Sequence, residues 1–311
     1  MYDVVVIGGG GAGLSAALTL ARSRRTVLVV DDGSPRNAAA EGIHGLLTRD
    51  GMDPVEFVRV ARAEIESYGT TFREGRAEGV SGNREYGFSV TLDDGDRVEA
   101  RRLIVATGLL DELPEIAGVA ARWGRDVLHC PYCHGWETRE RALAVIATAP
   151  AAWHQALLLR SWSDDVTLLL NDAFEPTEEQ WDLLTARGVR VVRGGVASVQ
   201  VSDDALSGVL LDDGRSVPCR AAFLGPRVRA RSELLADIGV TTASHPDGLF
   251  EHIESEGAGE TSVPGIWVAG NITDITALVV TAMADGSRAA IAVDTDLMLA
   301  DAQAAARRAR E

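Results

Sequence analysis

The sequence predicts an α/β protein with two nucleotide-binding (Rossmann-like) units. Three observations carry this: a glycine turn between strand and helix near residue 10, a second strand, turn, helix, strand run from residue 143, and two further strands ending in small residues. Residues 2–7, Tyr-Asp-Val-Val-Val-Ile, are a largely apolar β-branched run; residues 8–13 are a glycine turn; residues 14–23 carry a helix pattern; residues 26–30 form a second strand closed by Asp31. In Gly8-x-Gly10-x-x-Gly13 the first glycine permits a tight turn, the second lets backbone approach a pyrophosphate, and the third lets helix and strand pack closely. The phosphates belong at the helix N-terminus, where free N–H groups and the dipole attract anions. Asp31 is placed to accept a hydrogen bond from a ribose 2′-hydroxyl.

Residues 102–106 and 265–269 are apolar strands running into Thr107-Gly108 and Gly270-Asn271. Small residues there bring backbone to the carboxyl edge of the sheet, where open α/β sheets bind ligands. The middle unit places a strand and helix over residues 143–162 and a strand over 166–170, but its turn reads Ala147-Thr148-Ala149-Pro150-Ala151-Ala152. Alanine stands at both glycine positions, where its Cβ crowds a pyrophosphate, and Pro150 removes an N–H donor. The second strand ends Leu169-Leu170-Asn171, with no acid for a 2′-hydroxyl and no arginine for a 2′-phosphate. This unit is expected to keep the fold and to have lost the nicotinamide nucleotide.

Composition narrows the partners. A chain of 311 residues with 46 acidic against 30 basic side chains has a formal net charge of -16, which repels phosphate backbones and anionic lipid and so argues against nucleic acid and membrane surfaces. Its length corresponds to about two domains of roughly 150 residues, and its 32 glycines exceed the usual share of about 7%. Residues 4–21 are uncharged but glycine-rich and follow Met-Tyr-Asp, unlike a signal or membrane segment. The default expectation is a soluble protein of the reducing cytoplasm.

In that compartment His129-Cys130-Pro131-Tyr132-Cys133-His134-Gly135-Trp136 reads as redox chemistry. A two-residue spacing allows a small-loop disulfide and lowers one thiol's pKa so that it can attack or leave. His129 and His134 can take and return the protons that thiol exchange moves near pH 7. Zinc competes for the same side chains, but four ligands packed into so short a run would be strained, and Cys219 is the only other thiol; no metal is expected. A structural cysteine pair is the other competitor, and a loop-orienting residue is the bland reading of His134. Cys219 and Trp136 are expected to be packing residues, Trp136 with a second role open as a wall for a flat substrate. Residues 245–264 read as a return crossing toward the first domain, and residues 300–311 as an Ala/Arg helix.

The order of Gly8-x-Gly10-x-x-Gly13, Ala106-Thr107-Gly108, Cys130-x-x-Cys133 and Gly270-Asn271 resembles the low-molecular-weight thioredoxin reductases along essentially the whole chain. The resemblance implies a second domain inserted in the first: an FAD-binding domain at 1–113 and 245–311, and a central NADPH-domain-like module at 114–244 carrying the cysteines. It implies a homodimer, a second cysteine facing the flavin, and a first meeting the substrate. The FAD-binding residues it implies are Gly8, Gly10, Gly13, Asp31, Arg36, Asn37, His44, Ala77, Thr107, Gly108, Gly270 and Asn271.

The chain departs from those reductases at His134, where they carry Asp, at the alanine turn, at 169–171 where they carry basic residues, and at Asn271 and 277–279. Cys-Pro-Tyr-Cys-His-Gly and Pro35-Arg36-Asn37 resemble instead the dithiol oxidases of the same superfamily, which close the disulfides of natural products such as gliotoxin and holomycin with FAD and dioxygen. That likeness implies catalytic roles for Cys130, Cys133 and His134 or His129, a small-molecule dithiol substrate, and a place in antibiotic biosynthesis or self-resistance. The alternatives are an NADPH- or ferredoxin-dependent thioredoxin or disulfide reductase, and a flavin-binding sensor or dithiol-sequestering protein.

Overall fold

The glycine-turn unit folds around its first strand. In a computed structural model that describes residues 1–244 and 250–310, Tyr2–Ile7 lies at the centre of a seven-stranded sheet. It pairs in parallel with Val27–Asp31 on one side and with Arg97–Val105 on the other. Thr71–Glu74 extends the first side in parallel, while Gly87–Leu92 and Ala77–Asn83 extend the second as an antiparallel pair. Ile266–Val268 lies parallel to residues 103–105, past the point where Gly87–Leu92 leaves the same strand.

The apolar run of the first strand is continuous because both its faces are covered. Side chains alternate across a strand: Val5 and Ile7 join Leu28, Val30, Leu103 and Val105 in one cluster, and Val4 and Val6 join Leu14, Ala17, Leu20 and Ile104 in the other. The helix after the turn spans Gly11–Arg22 with Gly10 at its N-cap, so it starts three residues before the pattern at 14–23. Gly11 and Gly13 belong to its first turn rather than to the loop.

The last helix is much longer than the segment 300–311 expected from sequence, running Val279–Arg308. Its buried face is Ala282, Gly286, Ala289, Ala290, Val293 and Leu297, a helical stripe whose small residues carry little hydrophobic signal. They are small because Gly11–Arg22 lies directly against them: a Cβ on Gly286 would overlap the Ala12 carbonyl. Arg25 fixes the far end through Asp294 at 2.6 Å and Asp301 at 2.8 Å.

The chain divides into two compact units, Met1–Ala38 with Met52–Leu110 and Val228–Glu311, and Ala39–Gly51 with Asp111–Arg227. These differ from the boundaries drawn at 114 and 244. Residues 228–244 go with the first unit because Val228, Ala230, Leu234, Leu235 and Val240 are buried in its core. Ala39–Gly51 goes with the second, where Ala39 lies against the backbone of Gly124.

In the second unit, parallel strands Arg190–Val192, Val166–Leu169, Leu143–Ile146, Ala221–Phe223 and Val127–Leu128 form a sheet in that order. Ala152–Leu159 follows Leu143–Ile146 as the helix of the repeated unit. A three-stranded antiparallel sheet is built from Val196–Ser202, Ala205–Leu211 and Ser216–Pro218. Of residues 245–264, 245–249 lie outside the described residues, and Glu251–Ile253 pairs with Thr242–Ser244. Among the described residues no helix is long and apolar enough to cross a membrane.

Candidate active site

The first unit presents a cradle at the carboxyl edge of its sheet. Gly8 has φ +107, and a Cβ there would overlap the Ala106 carbonyl; a Cβ on Gly13 would overlap the Gly8 carbonyl. A Cβ on Gly10 would meet nothing within 4 Å. Gly8 and Gly13 are therefore demanded by the fold itself, whereas Gly10 leaves an open space in front of the backbone. No side chain caps the helix at Gly10, so first-turn N–H groups remain for an anion. Asp31 Oδ1 accepts the Gly9 N–H at 2.7 Å, which holds its carboxylate beside the turn.

Gly270, at φ +80, comes against Ala12 at the start of the same helix, and Gly108 has φ +70. The side chains of Thr107 and Asn271 hold loops: Thr107 Oγ1 donates to the Arg231 carbonyl at 2.7 Å, and Asn271 Nδ2 to the carbonyls of Asp274 and Ala277 at 3.0 Å each. Exposed Arg36 and half-buried Asn37 follow the strand Val27–Asp31 in the same unit. Ala77 is buried at the start of its strand, just past Gly75, whose N–H donates to the Asp31 carbonyl at 3.0 Å.

The matching turn of the second unit is closed by its own atoms. Ala147 and Ala149 are buried. Thr148 Oγ1 donates to the Gly225 carbonyl at 2.5 Å. Asn171, where a ribose-reading side chain would stand, spends its amide on the fold: Nδ2 donates to the Ala147 carbonyl at 3.0 Å, and Oδ1 accepts the Val196 N–H at 2.8 Å.

The cysteines lie at the carboxyl end of Val127–Leu128. His129 follows that strand with its carbonyl accepting from Gln155 Nε2 at 2.7 Å. Cys130 and Cys133 form a disulfide, their Cα atoms 5.2 Å apart. Pro131 begins the single-turn helix Pro131–His134, and Cys130 is its N-cap. Cys130 Sγ accepts the Cys133 N–H at 3.2 Å, a contact that favours a thiolate once the disulfide opens. Gly135 has no freedom to be larger: a Cβ there would lie 2.6 Å from the Pro131 carbonyl and 2.6 Å from the Trp162 indole. Trp162 is thus the packing tryptophan of the motif, with Tyr132 edge-on to it at 5.9 Å. Trp136, expected to pack, is 64% exposed and carries the Arg139 guanidinium 4.0 Å above its ring. Cys219 is buried, and burial pushes its thiol up to about 12, leaving it unionised and unreactive.

His134 is half-buried, and Thr138 Oγ1 donates to its carbonyl at 3.0 Å. Its ring lies edge-to-face with His44 at 6.4 Å between centroids. Burial first, and then the charge that His44 can carry, lower His134 from the ordinary imidazole range, against the opposite pull of Glu137 and Glu41. His134 is therefore neutral at pH 7 and can accept a proton. The resemblance groups His44 with the FAD-binding residues; its ring also lies beside the histidine of the cysteine motif. Gln155, Glu137, Glu41 and Trp162 were not anticipated. Only Trp162 had a local signal, as an aromatic closing the helix pattern after residue 150.

These two sets of residues, a dinucleotide cradle and a cysteine pair flanked by a neutral imidazole, define a disulfide-handling flavoprotein. The chain belongs to the pyridine nucleotide-disulphide oxidoreductase family, whose profile matches residues 2–286. Proteins of this kind bind FAD, and FAD is the cofactor of this chain; the open face at Gly10, the uncapped helix and Asp31 fit it.

Among relatives, a solved structure of HlmI is 44% identical, covering 99% of this chain and 96% of that one with a TM-score of 0.93. An oxidoreductase from Agrobacterium tumefaciens is 38% identical over 96% of this chain and 99% of its own, with a TM-score of 0.90. The thioredoxin reductase sirT of Leptosphaeria maculans is 29% identical over 97% of this chain and 96% of its own. The chain is thus a thioredoxin-reductase-like oxidoreductase over nearly all of its length.

Proposed function

We propose that the chain is a FAD-dependent dithiol oxidase that closes an intramolecular disulfide in a small-molecule dithiol, holomycin-like or gliotoxin-like, with dioxygen reduced to hydrogen peroxide. The alanine-filled turn of the second unit carries this reading. With Ala147 and Ala149 buried and Asn171 committed to the fold, a nicotinamide nucleotide is a poor electron donor, and the electrons come from the thiol side. Resemblance adds a homodimer and a place in antibiotic biosynthesis or self-resistance, and the cytoplasm is the default compartment.

Each residue then has a task. Neutral His134 takes the proton of the first substrate thiol; an Asp there, at about pKa 3.9, would be a far weaker base. The substrate thiolate attacks Cys130 Sγ, the Cys130–Cys133 bond breaks, and Cys133 leaves as a thiolate. The second substrate thiol, losing its proton in turn, attacks the mixed disulfide and expels Cys130, whose thiolate accepts the Cys133 N–H. The product is a cyclic disulfide and the chain is left as a dithiol. Bound FAD supplies the remaining chemistry, taking two electrons from that dithiol for dioxygen. The balance is one dithiol and one dioxygen giving one disulfide and one hydrogen peroxide.

The name thioredoxin reductase on relatives such as the Leptosphaeria maculans protein favours a second reading, an NADPH-dependent disulfide reductase. Anaerobic stopped-flow mixing separates the two. The oxidase reading expects bleaching of the flavin by a small dithiol, recovery in air and peroxide over many turnovers; bleaching by NADPH at a comparable rate would sink it.

A further inference from the structure

The segment Ala39–Gly51 belongs to the unit that carries the cysteines, and its construction points at His134. Ile43 and Leu46 are buried, and the Gly51 N–H closes the loop on the Ile43 carbonyl at 2.8 Å. The Gly45 N–H donates to Asp50 Oδ1 at 2.8 Å, while Asp50 Oδ2 faces His44 Nδ1 at 3.7 Å. Glu137, just after the cysteine helix, brings Oε1 to 3.6 Å from the same nitrogen. Two carboxylates thus flank His44, and the His44 side chain is only 19% exposed. His134 has the ring of His44 at its edge and feels the charges of Glu137 and Glu41. Unequal surroundings divide two neighbouring imidazoles into proton holder and base.

We propose that His44 is a positioning residue for the thiol chemistry: when the two imidazoles hold one proton, His44 holds it between Glu137 and Asp50, and His134 remains the neutral base. The inference rests on His134 acting as base in dithiol exchange, whichever oxidant or reductant serves the flavin.

The test uses the FAD-loaded protein, anaerobically, with dithiothreitol reducing the disulfide at pH 5 to 8. In His44→Gln the acid limb of the rate profile should move up by about 0.5 pH unit, which lowers the rate on that limb about threefold. His44→Lys, which restores a fixed positive charge, should return the limb toward its original place. The His134 ring signal, followed by NMR titration, should move by the same amount in the same direction. A limb or a His134 titration unmoved in His44→Gln overturns the proposal, as does an equal shift in both variants, which would mean a merely structural role. Oxygen and NADPH are absent from this experiment, so rapid NADPH bleaching elsewhere would remove the oxidase reading and leave this result standing.

Discussion

The turn at Gly8 to Gly13 and the turn at Ala147 to Ala152 occupy the same place in two similar strand, turn, helix, strand units, and they spend their backbones differently. In the first, two glycines are consumed by close approaches inside the protein, while Gly10 faces open space. In the second, methyl groups fill the corresponding positions, Thr148 reaches Gly225, and Asn171 bridges Ala147 to Val196. One turn is built around something the chain does not supply; the other is complete. On the function proposed above, fold and ligand separate here: the architecture outlives the nucleotide site once its hydrogen bonds are turned inward.

The largest effect expected concerns neither turn but the pair of thiols in the second unit. Cys133→Ser removes the disulfide that accepts electrons, and oxygen consumption with a dithiol should fall by about 10³-fold or more. Within the first turn, Gly13→Ala and Gly10→Ala should behave oppositely. The first forces an overlap with the Gly8 carbonyl and should cost about 3 kcal/mol in urea unfolding. The second should leave the unfolding midpoint nearly unchanged yet weaken FAD titrated into apoprotein by about tenfold, or about 1.4 kcal/mol.

If the second turn lacks function only because of its two methyl groups, Ala147→Gly with Ala149→Gly would restore bleaching by NADPH. We expect no bleaching, because Pro150 still lacks its N–H and Asn171 still closes the loop, and a loss of about 1–2 kcal/mol in stability from the added backbone freedom. The smallest effect is one of pH. His134 titrates below its unfolded value of about 6.5, so between that value and its folded pKa the unfolded chain binds more protons. Its contribution is present above about pH 6.5 and lost as pH falls through the folded pKa. Urea midpoints at pH 7.5 and 5.5 should therefore differ less in His134→Gln than in the parent.

What could be read from the chain alone was whatever is local. The first unit announces itself because strand, glycine spacing, helix and Asp31 fall within the first 31 residues, and each carries its own physical reason. The cysteine motif was equally plain. The long final helix was not, since its buried face is alanine and glycine, chosen for closeness to Gly11–Arg22 rather than for greasiness. Nor could the sequence join His44 to His134, ninety positions apart, or show that Asn171 bridges Ala147 and Val196. The unit boundaries moved for the same reason: Leu234 and Leu235 reveal their allegiance only through the core that receives them.

The seam between Gly11–Arg22 and Val279–Arg308 also sets an order of events during synthesis. Thr19 and Ser287 touch across 268 positions of sequence, so the first unit closes only after nearly all of the chain has been made, and loop closure over such a span is slow. Every residue of the second unit lies within 39–227, so it can fold while residues 228–311 are still being translated. Gly11–Arg22 must wait for Val279–Arg308. A lesion in the small-residue stripe at Gly286 therefore threatens yield, by prolonging the exposure of an unfinished sheet, before it threatens activity.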